Sequence, residues 1–208
     1  MRYISLLLLV LFCGLSWADE LKVEYASFYS HLKKIDNDET QGLQFAFGFK
    51  NIASDSLCHI RTAQIVTPKV TLPVSVSDEQ RFILPTELAL KQAHGVIHIN
   101  LEEQANQCDL SVQLETKPAY LKRTYQQNEL LSLLGQYESF FDDVGGFMSF
   151  LMPDVIGLQM HFAEPLPASL EADLNVAGNK LILDKKWIQK MQPLTLPSTP
   201  FRITAITD

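Results

Sequence analysis

Residues 43–50 read Leu-Gln-Phe-Ala-Phe-Gly-Phe-Lys, with a large apolar side chain at every second position. A period of two predicts a β-strand that buries one face and leaves the other partly exposed. Phenylalanine also favours strands, because its ring packs well on a pleated surface. The alternation therefore predicts a sheet in the first half of the chain, with one apolar face directed towards a core.

Three further runs predict strands in the same half. Residues 108–116 alternate apolar and polar side chains, and residues 95–101 do so as well. The polar loop 102–107 separates these two runs, so we predict a hairpin between them. Pro73 interrupts a third extended run, residues 70–76, and predicts that this run lies at a sheet edge, because proline cannot donate a ladder hydrogen bond.

Helices are predicted on both sides of these strands. Residues 22–35 have the spacing of a short amphipathic helix. Residues 125–141 form the clearest helical pattern, because Leu130, Leu134 and Tyr137 recur every three or four positions.

Turn and cap residues organise the C-terminal end. The Gly178-Asn179 pair lies between two apolar runs and predicts a hairpin. Asp184 predicts a helix N-cap, since its carboxylate accepts from free N–H groups of the first helical turn.

Together these patterns predict a chain that is mainly β with α elements (α+β). We divide it into three parts after a signal peptide at residues 1–18. A disulfide-bonded, β-sandwich-like N-terminal unit occupies residues 19–118, a central helical segment occupies residues 119–152, and a small C-terminal β unit occupies residues 153–208.

The first 18 residues have the three parts of a secretory signal peptide. Arg2 is positive, residues 4–15 are almost entirely apolar, and residues 16–18 read Ser-Trp-Ala. We predict cleavage between Ala18 and Asp19, and an uncleaved anchor is the alternative. The apolar run is shorter than the roughly 20 residues that a membrane-spanning helix needs. No second such run follows in the sequence, so no transmembrane segment is expected after processing.

Export leaves two cysteines in the mature chain, Cys58 and Cys108. An even number in an oxidising compartment predicts a disulfide. Both lie in strand-like runs, so that both side chains can face one core. Two unpaired buried thiols are the alternative. The sequence contains no Cys-x-x-Cys spacing, so a zinc site on these residues is not predicted.

Composition excludes two classes of protein. The 17 basic and 24 acidic residues give a net charge of −7 and form no Lys/Arg cluster, which excludes binding to nucleic acid through phosphate contacts. The hydrophobic fraction of 47% is too high for an intrinsically disordered chain.

Motifs for catalysis or cofactor binding are absent from the sequence. There is no Gly-x-Ser-x-Gly and no glycine-rich phosphate loop, so we predict no catalytic residue, metal ion or cofactor. His94 and His98 have the i, i+4 spacing of zinc ligands on a helix, but Gly95 replaces the glutamate of the zinc-protease motif. Their apolar neighbours favour a strand with both histidines and Asn100 on its polar face. A metal-dependent or other hydrolase using His94 and His98 is the alternative function.

Residues 140–152 are rich in phenylalanine and methionine around two glycines. One interpretation is core packing, and the other is a groove for an apolar ligand or partner, because such side chains adapt to irregular surfaces. Helical spacing predicts that Phe141 and Val144 are buried. Phe140, Phe147 and Leu151 form the candidate apolar binding surface.

Two runs resemble a known family. They are Asp-Asp-Val-Gly-Gly-Phe at residues 142–147 and Met-Pro-Asp-Val-Ile-Gly-Leu at residues 152–158. They are similar to the domain-of-unknown-function family 2987, exported proteins of gammaproteobacteria, and the resemblance covers nearly all of the mature chain. It implies a location in the Gram-negative envelope and carries over no active-site residue.

These observations lead to one functional hypothesis. We expect a periplasmic protein that is a non-enzymatic envelope binding or interaction module, with an envelope protein or an apolar ligand as its partner. The hydrolase using the two histidines remains the alternative.

Overall fold

The computed structural model describes residues 20–126, 128–145, 153–167, 170, 174–190 and 192–208. These residues are mostly β with a few helices, which confirms the predicted fold class. The strands are β1 (Glu20–Glu24), β2 (Leu43–Asn51), β3 (Ile60–Val66), β4 (Thr71–Val74), β5 (Val96–Leu101), β6 (Cys108–Thr116), β7 (Thr124–Tyr125), β8 (Val155–His161), β9 (Asn175–Ala177), β10 (Lys180–Asp184), β11 (Leu194–Thr195) and β12 (Arg202–Thr207). The helices are α1 (Tyr25–Leu32), α2 (Leu88–Gln92), α3 (Glu129–Gly145) and α4 (Lys185–Gln189), with short 3-10 turns at Lys33–Ile35, Ala105–Gln107 and Pro118–Tyr120.

The N-terminal sheet has four antiparallel strands in the order β1-β5-β3-β4. Its central strand β5 buries Ile97, Ile99 and Leu101 and turns the intervening residues outwards. β4 lies at the sheet edge, which confirms the prediction from Pro73.

A two-stranded ribbon, β2 with β6, packs across the core from this sheet. The two strands pair over nine residues, from Leu43 opposite Thr116 to Asn51 opposite Cys108. Phe47 and Phe49 of the ribbon are buried in one cluster with the isoleucines of the sheet. The alternating segment at residues 43–50 therefore forms one side of this core.

The predicted hairpin between residues 95–101 and 108–116 is wrong. β5 pairs with β1 and β3, whereas β6 pairs with β2. The short loop between them crosses from the sheet to the ribbon. An alternating pattern predicts which face of a strand is buried but not which strand lies beside it. The short loop between the two runs therefore led to a wrong prediction of their pairing.

The predicted helix at residues 22–35 is only partly correct. Residues up to Glu24 form β1, which pairs with β5, and α1 begins at Tyr25. Backbone pairing with an existing sheet outweighs a weak helical pattern in a short segment.

The C-terminal sheet has the order β12-β8-β10-β9, and α3 packs beside it. β9 and β10 form the hairpin predicted at Gly178-Asn179, with Gly178 at a φ of +62°. Asp184 caps α4 as predicted, because its carboxylate accepts from the backbone N–H of Trp187 at 2.6 Å. α3 begins at Glu129 rather than at residue 125, since Tyr125 belongs to β7, which pairs with β11.

Two hydrophobic cores result, and the ribbon contributes to both. Phe47 and Phe49 belong to the N-terminal core, whereas Leu43, at the other end of β2, belongs to the C-terminal core. Gln136 of α3 also accepts a hydrogen bond from the backbone N–H of Gly42 at 2.7 Å. The domain boundaries at residues 118 and 152 stay a prediction. In the described part of the chain, no helix is both long and apolar enough to cross a membrane.

Candidate functional site: a cleft with a charged cluster

A cleft of about 810 Å³ opens between the edge strand β4, the polar face of the ribbon and the beginning of β12. Its apolar lining includes Leu72, Ile83 and Phe201, whose side chains are 39%, 44% and 42% exposed. Its charged and polar groups are Gln44, Ser75, Ser77, Asp78, Glu79, Arg81 and Glu115, and the apolar lining is completed by Ala46, Ile65, Pro73, Val74, Val76, Pro85, Pro118 and Ala163. The space thus combines an apolar wall with a small set of charges.

The tight turn at residues 77–81 brings three of these charges, Asp78, Glu79 and Arg81, into the cleft. Ser77 and Arg81 bond through the backbone, and Gln80 between them has a left-handed φ of 58°. The side chain of Gln80 accepts from the backbone N–H of Ile60 at 2.7 Å, which holds the turn. Such an unfavourable conformation persists only where its surroundings fix it, and here it places Glu79 beside Arg81.

Gly48 allows this turn to lie on the ribbon. A Cβ at this position would be 2.8 Å from the carbonyl oxygen of Gln80 and 3.2 Å from Cδ of Arg81. The neighbouring Phe47 exchanges two backbone hydrogen bonds with Phe82, both 2.8 Å long. The missing side chain therefore lets Arg81 pack flat against the polar face of the ribbon.

Arg81 is half-buried in this position. Its Nη1 donates to the carbonyl oxygen and to the hydroxyl of Ser111, both at 3.1 Å. Its Nε is buried with no hydrogen-bond partner in the part of the chain that the structure describes. Burial, and then the like charge of Arg202, lowers the pKa of Arg81. An arginine stays protonated at neutral pH even so.

Arg202, at the first position of β12, connects the turn to the C-terminal sheet. Its Nη1 donates to Oε2 of Glu79 at 2.8 Å, and its Nη2 lies 3.2 Å from Nδ1 of His161. Because arginine only donates, Nδ1 of the ring accepts this hydrogen bond. Burial, and then the charges of Arg202 and Lys180, lowers the pKa of His161 to about 4, so the ring is neutral at pH 7.

Glu115 completes the charged cluster. Its Oε1 accepts from Nε2 of Gln44, the residue opposite it in the ribbon, at 3.0 Å. Burial raises the pKa of Glu115, and the amide of Gln44 opposes that effect. The cluster therefore holds two guanidinium groups and two carboxylates, one of which is shifted towards its neutral form.

His94 and His98 are not brought together on one strand face. His94 lies in the exposed turn after α2 at a φ of 52°, before β5 begins. His98 lies on the outer face of β5, as predicted, and its Nδ1 is 2.7 Å from Oε1 of Glu20. The prediction that both share a strand face is wrong for His94, because the backbone turns left-handed there instead of extending.

The disulfide between Cys58 and Cys108 is present, which confirms its prediction. Both residues are buried in the N-terminal core. Among the described residues, the one group of three potential metal ligands joins these two sulfurs with Glu103. Since the sulfurs are bonded to each other, they offer no thiolate to a metal ion.

The predicted apolar surface is described only in part. Phe140 is half-buried against the C-terminal core, and its ring packs edge-to-face on Phe45 at 5.7 Å. Val144, predicted to be buried, is exposed, because the buried stripe of α3 runs through its N-terminal half. Phe147 and Leu151 lie outside the described residues, as do Ala18 and Asp19 at the predicted cleavage site.

The charged residues of the cleft carry no sequence signal. Glu79 and Arg202 are 123 positions apart, and each looks like an ordinary surface charge when its neighbours alone are considered. The exposed apolar residues beside the Ser-Asp-Glu-Gln-Arg turn are the nearest hint, and it is a weak one.

The site described above is thus a half-apolar cleft in a mainly β chain. Residues 17–162 match the model of the family described as "Protein of unknown function (DUF2987)". The chain belongs to this family, which confirms the family noted from the sequence. The match ends at residue 162, so it does not extend over nearly all of the mature chain as predicted. No curated protein and no solved structure matches the chain.

Proposed function

We propose that this protein is an exported, non-enzymatic binding module of the bacterial envelope, and that its cleft takes up an apolar ligand. The observation that carries the proposal is the exposure of Leu72, Ile83 and Phe201 towards one shared space. Exposed apolar side chains that gather in a concave surface are typical of binding sites. The cleft volume of about 810 Å³ falls in the range of pockets that hold small organic ligands.

A neutral dye tests this proposal without favouring either charge. We expect N-phenyl-1-naphthylamine to bind saturably and to gain fluorescence. Ala163→Trp places a large side chain at an exposed position of the lining and should weaken binding at least about tenfold, a steric loss of about 1.4 kcal/mol. Ala53→Trp, in an exposed turn that does not line the cleft, is the matched control and should leave affinity unchanged. Equal affinity in both variants would contradict the proposal.

Export to the periplasm is the second part of the proposal. The disulfide favours an oxidising compartment, and the first 18 residues have the layout of a signal peptide. Intact-mass analysis of the periplasmic fraction should give Asp19 as the first residue. A chain that retains Met1 and stays in the membrane fraction would overturn this part.

The non-enzymatic part has a direct test in metal content. We expect His94→Ala together with His98→Ala to leave fold and metal content unchanged, since Glu20 already bonds His98 and His94 lies in a separate turn. Stoichiometric zinc in the wild type that the double variant loses would favour the hydrolase instead.

A second candidate surface lies on the opposite, apolar face of the ribbon. Leu110 and Val112 of β6 are 52% and 50% exposed there and line a groove of about 380 Å³ with Phe45, the ring on which Phe140 packs. The packing of Phe140 beside this groove supports the predicted apolar surface, which consists of Phe140, Phe147 and Leu151, as a contact for an envelope protein.

Site-specific photocrosslinking tests this second surface. A photoreactive phenylalanine at position 110 should give one discrete crosslinked product in cells, and Val112→Ser should abolish this product. The same group at Ile52, exposed in a turn, is the control and should give none. Equal products from both positions would contradict a specific contact.

A further inference from the structure

Arg81 forms no ion pair with any carboxylate of the described residues. In the described part of the chain, no carboxylate oxygen lies within 4.0 Å of its guanidinium nitrogens, although nine other ion pairs are present. Its hydrogen bonds go to the neutral oxygens of Ser111. Arg81 is half-buried, and an anionic partner stabilises a guanidinium whose charge has lost part of its hydration.

The two carboxylates nearest in the cluster are engaged elsewhere. Glu79 bonds Arg202 at 2.8 Å, and Glu115 accepts from Gln44 at 3.0 Å. Arg81 is thus the cation of this cluster that has a charge to offer to a ligand.

We propose that Arg81 binds the carboxylate of an amphiphilic ligand whose apolar body lies against Leu72, Ile83 and Phe201. This inference rests on the proposed binding function of the cleft. Nη1 is engaged with Ser111 and Nε is buried, so Nη2, which bonds no described residue, donates the charge-assisted hydrogen bond to the carboxylate. Asp78 and Glu79 line the same cleft and repel a second negative charge, so a monoanion is favoured over a phosphate dianion.

Displacement of the neutral dye by decanoate and by decan-1-ol separates the contribution of the head group to binding from that of the alkyl chain. The wild type at pH 8 and low salt should bind decanoate at least about tenfold more tightly than the alcohol, as a charge-assisted hydrogen bond predicts. Arg81→Gln should lose this preference and keep its affinity for decan-1-ol, which also shows that the cleft is intact. Arg61→Gln removes the same charge from an exposed pair with Glu102 and should behave as the wild type.

Each remaining outcome decides a different point. A preference for decanoate that survives in Arg81→Gln would overturn the assignment of Arg81 and leave the cleft as an apolar site. Failure of both decanoate and decan-1-ol to displace the dye from the wild type would overturn the proposed function itself. If Arg81→Gln also loses its affinity for decan-1-ol, Arg81→Lys replaces it as the test variant, because lysine retains the positive charge. Arg81→Lys should then bind decanoate more tightly than decan-1-ol, and equal affinities would overturn the assignment.

Discussion

Arg202 donates from Nη1 to Oε2 of Glu79 at 2.8 Å, and this bond ties the beginning of β12 to a turn 123 positions earlier in the chain. The side chain of Arg202 is mostly buried, with 14% exposed, whereas Glu79 faces the cleft. The N-terminal turn and the C-terminal sheet are therefore held together beside the proposed binding site.

Removing this bond should destabilise the fold moderately. Arg202→Gln leaves Glu79 and Nδ1 of His161 without their charged donor, so we expect the free energy of unfolding to fall by about 1–3 kcal/mol in urea titrations. Arg61→Gln removes an exposed arginine 3.5 Å from Glu102 and should change it by no more than about 0.5 kcal/mol. Equal losses in the two variants would contradict the structural role of Arg202.

Stability should decrease as the pH falls from about 6.5 to about 4. His161 has a folded pKa of about 4 against an ordinary value of 6.5, so in this range the unfolded chain binds a proton that the folded chain does not. The loss attributable to His161 is at most about 3 kcal/mol, and its contribution is fully present above the ordinary pKa. Urea midpoints at pH 7.5, 5.5 and 4.5 measure it.

His161→Gln is the comparison for this pH dependence. It removes the titrating ring, while the carboxylates, including Glu115 with its opposite shift, titrate in both proteins. The variant should therefore lose less stability than the wild type between pH 7.5 and 4.5. Identical slopes would show that His161 is not the group responsible.

A methyl group at Gly48 should disturb the turn that carries Arg81. Gly48→Ala brings a Cβ to 2.8 Å from the backbone oxygen of Gln80, and we expect a loss of about 1–3 kcal/mol from the strain. Gly135→Ala is the matched control, because nothing lies within 4 Å of its added Cβ inside α3. It should gain about 0.5–1 kcal/mol from helix propensity. Melting temperatures that shift in the same direction in both variants would contradict the close contact between Gly48 and the turn.

The disulfide should contribute strongly to stability. Cys58 and Cys108 are 50 positions apart, and closing a loop of this length stabilises the fold by about 4 kcal/mol in the chain-entropy model. The double alanine variant should lose an amount of this order in urea titrations, and peptide mapping without reductant should recover the linked peptides from the wild type. Two alkylatable thiols in the native oxidised protein would refute the bond.

Local patterns in the sequence determined much of the fold. The alternation at residues 43–50, the edge position of Pro73, the turn at Gly178 and the cap at Asp184 each depend on residues a few positions apart. The pairing of the two cysteines followed from their number and from the expected compartment. Strand partners did not follow, because a buried face is compatible with several neighbours.

The candidate site was decided by tertiary structure alone. Arg81, Glu79, Glu115, Arg202 and their cleft meet because a left-handed turn lies on a glycine of the ribbon and because β12 returns beside it. In the sequence these residues are isolated charges in polar segments. Burial changes their chemistry, since one guanidinium is half-buried with no ion pair to a described carboxylate, and burial is a property of the folded chain rather than of any single stretch of it.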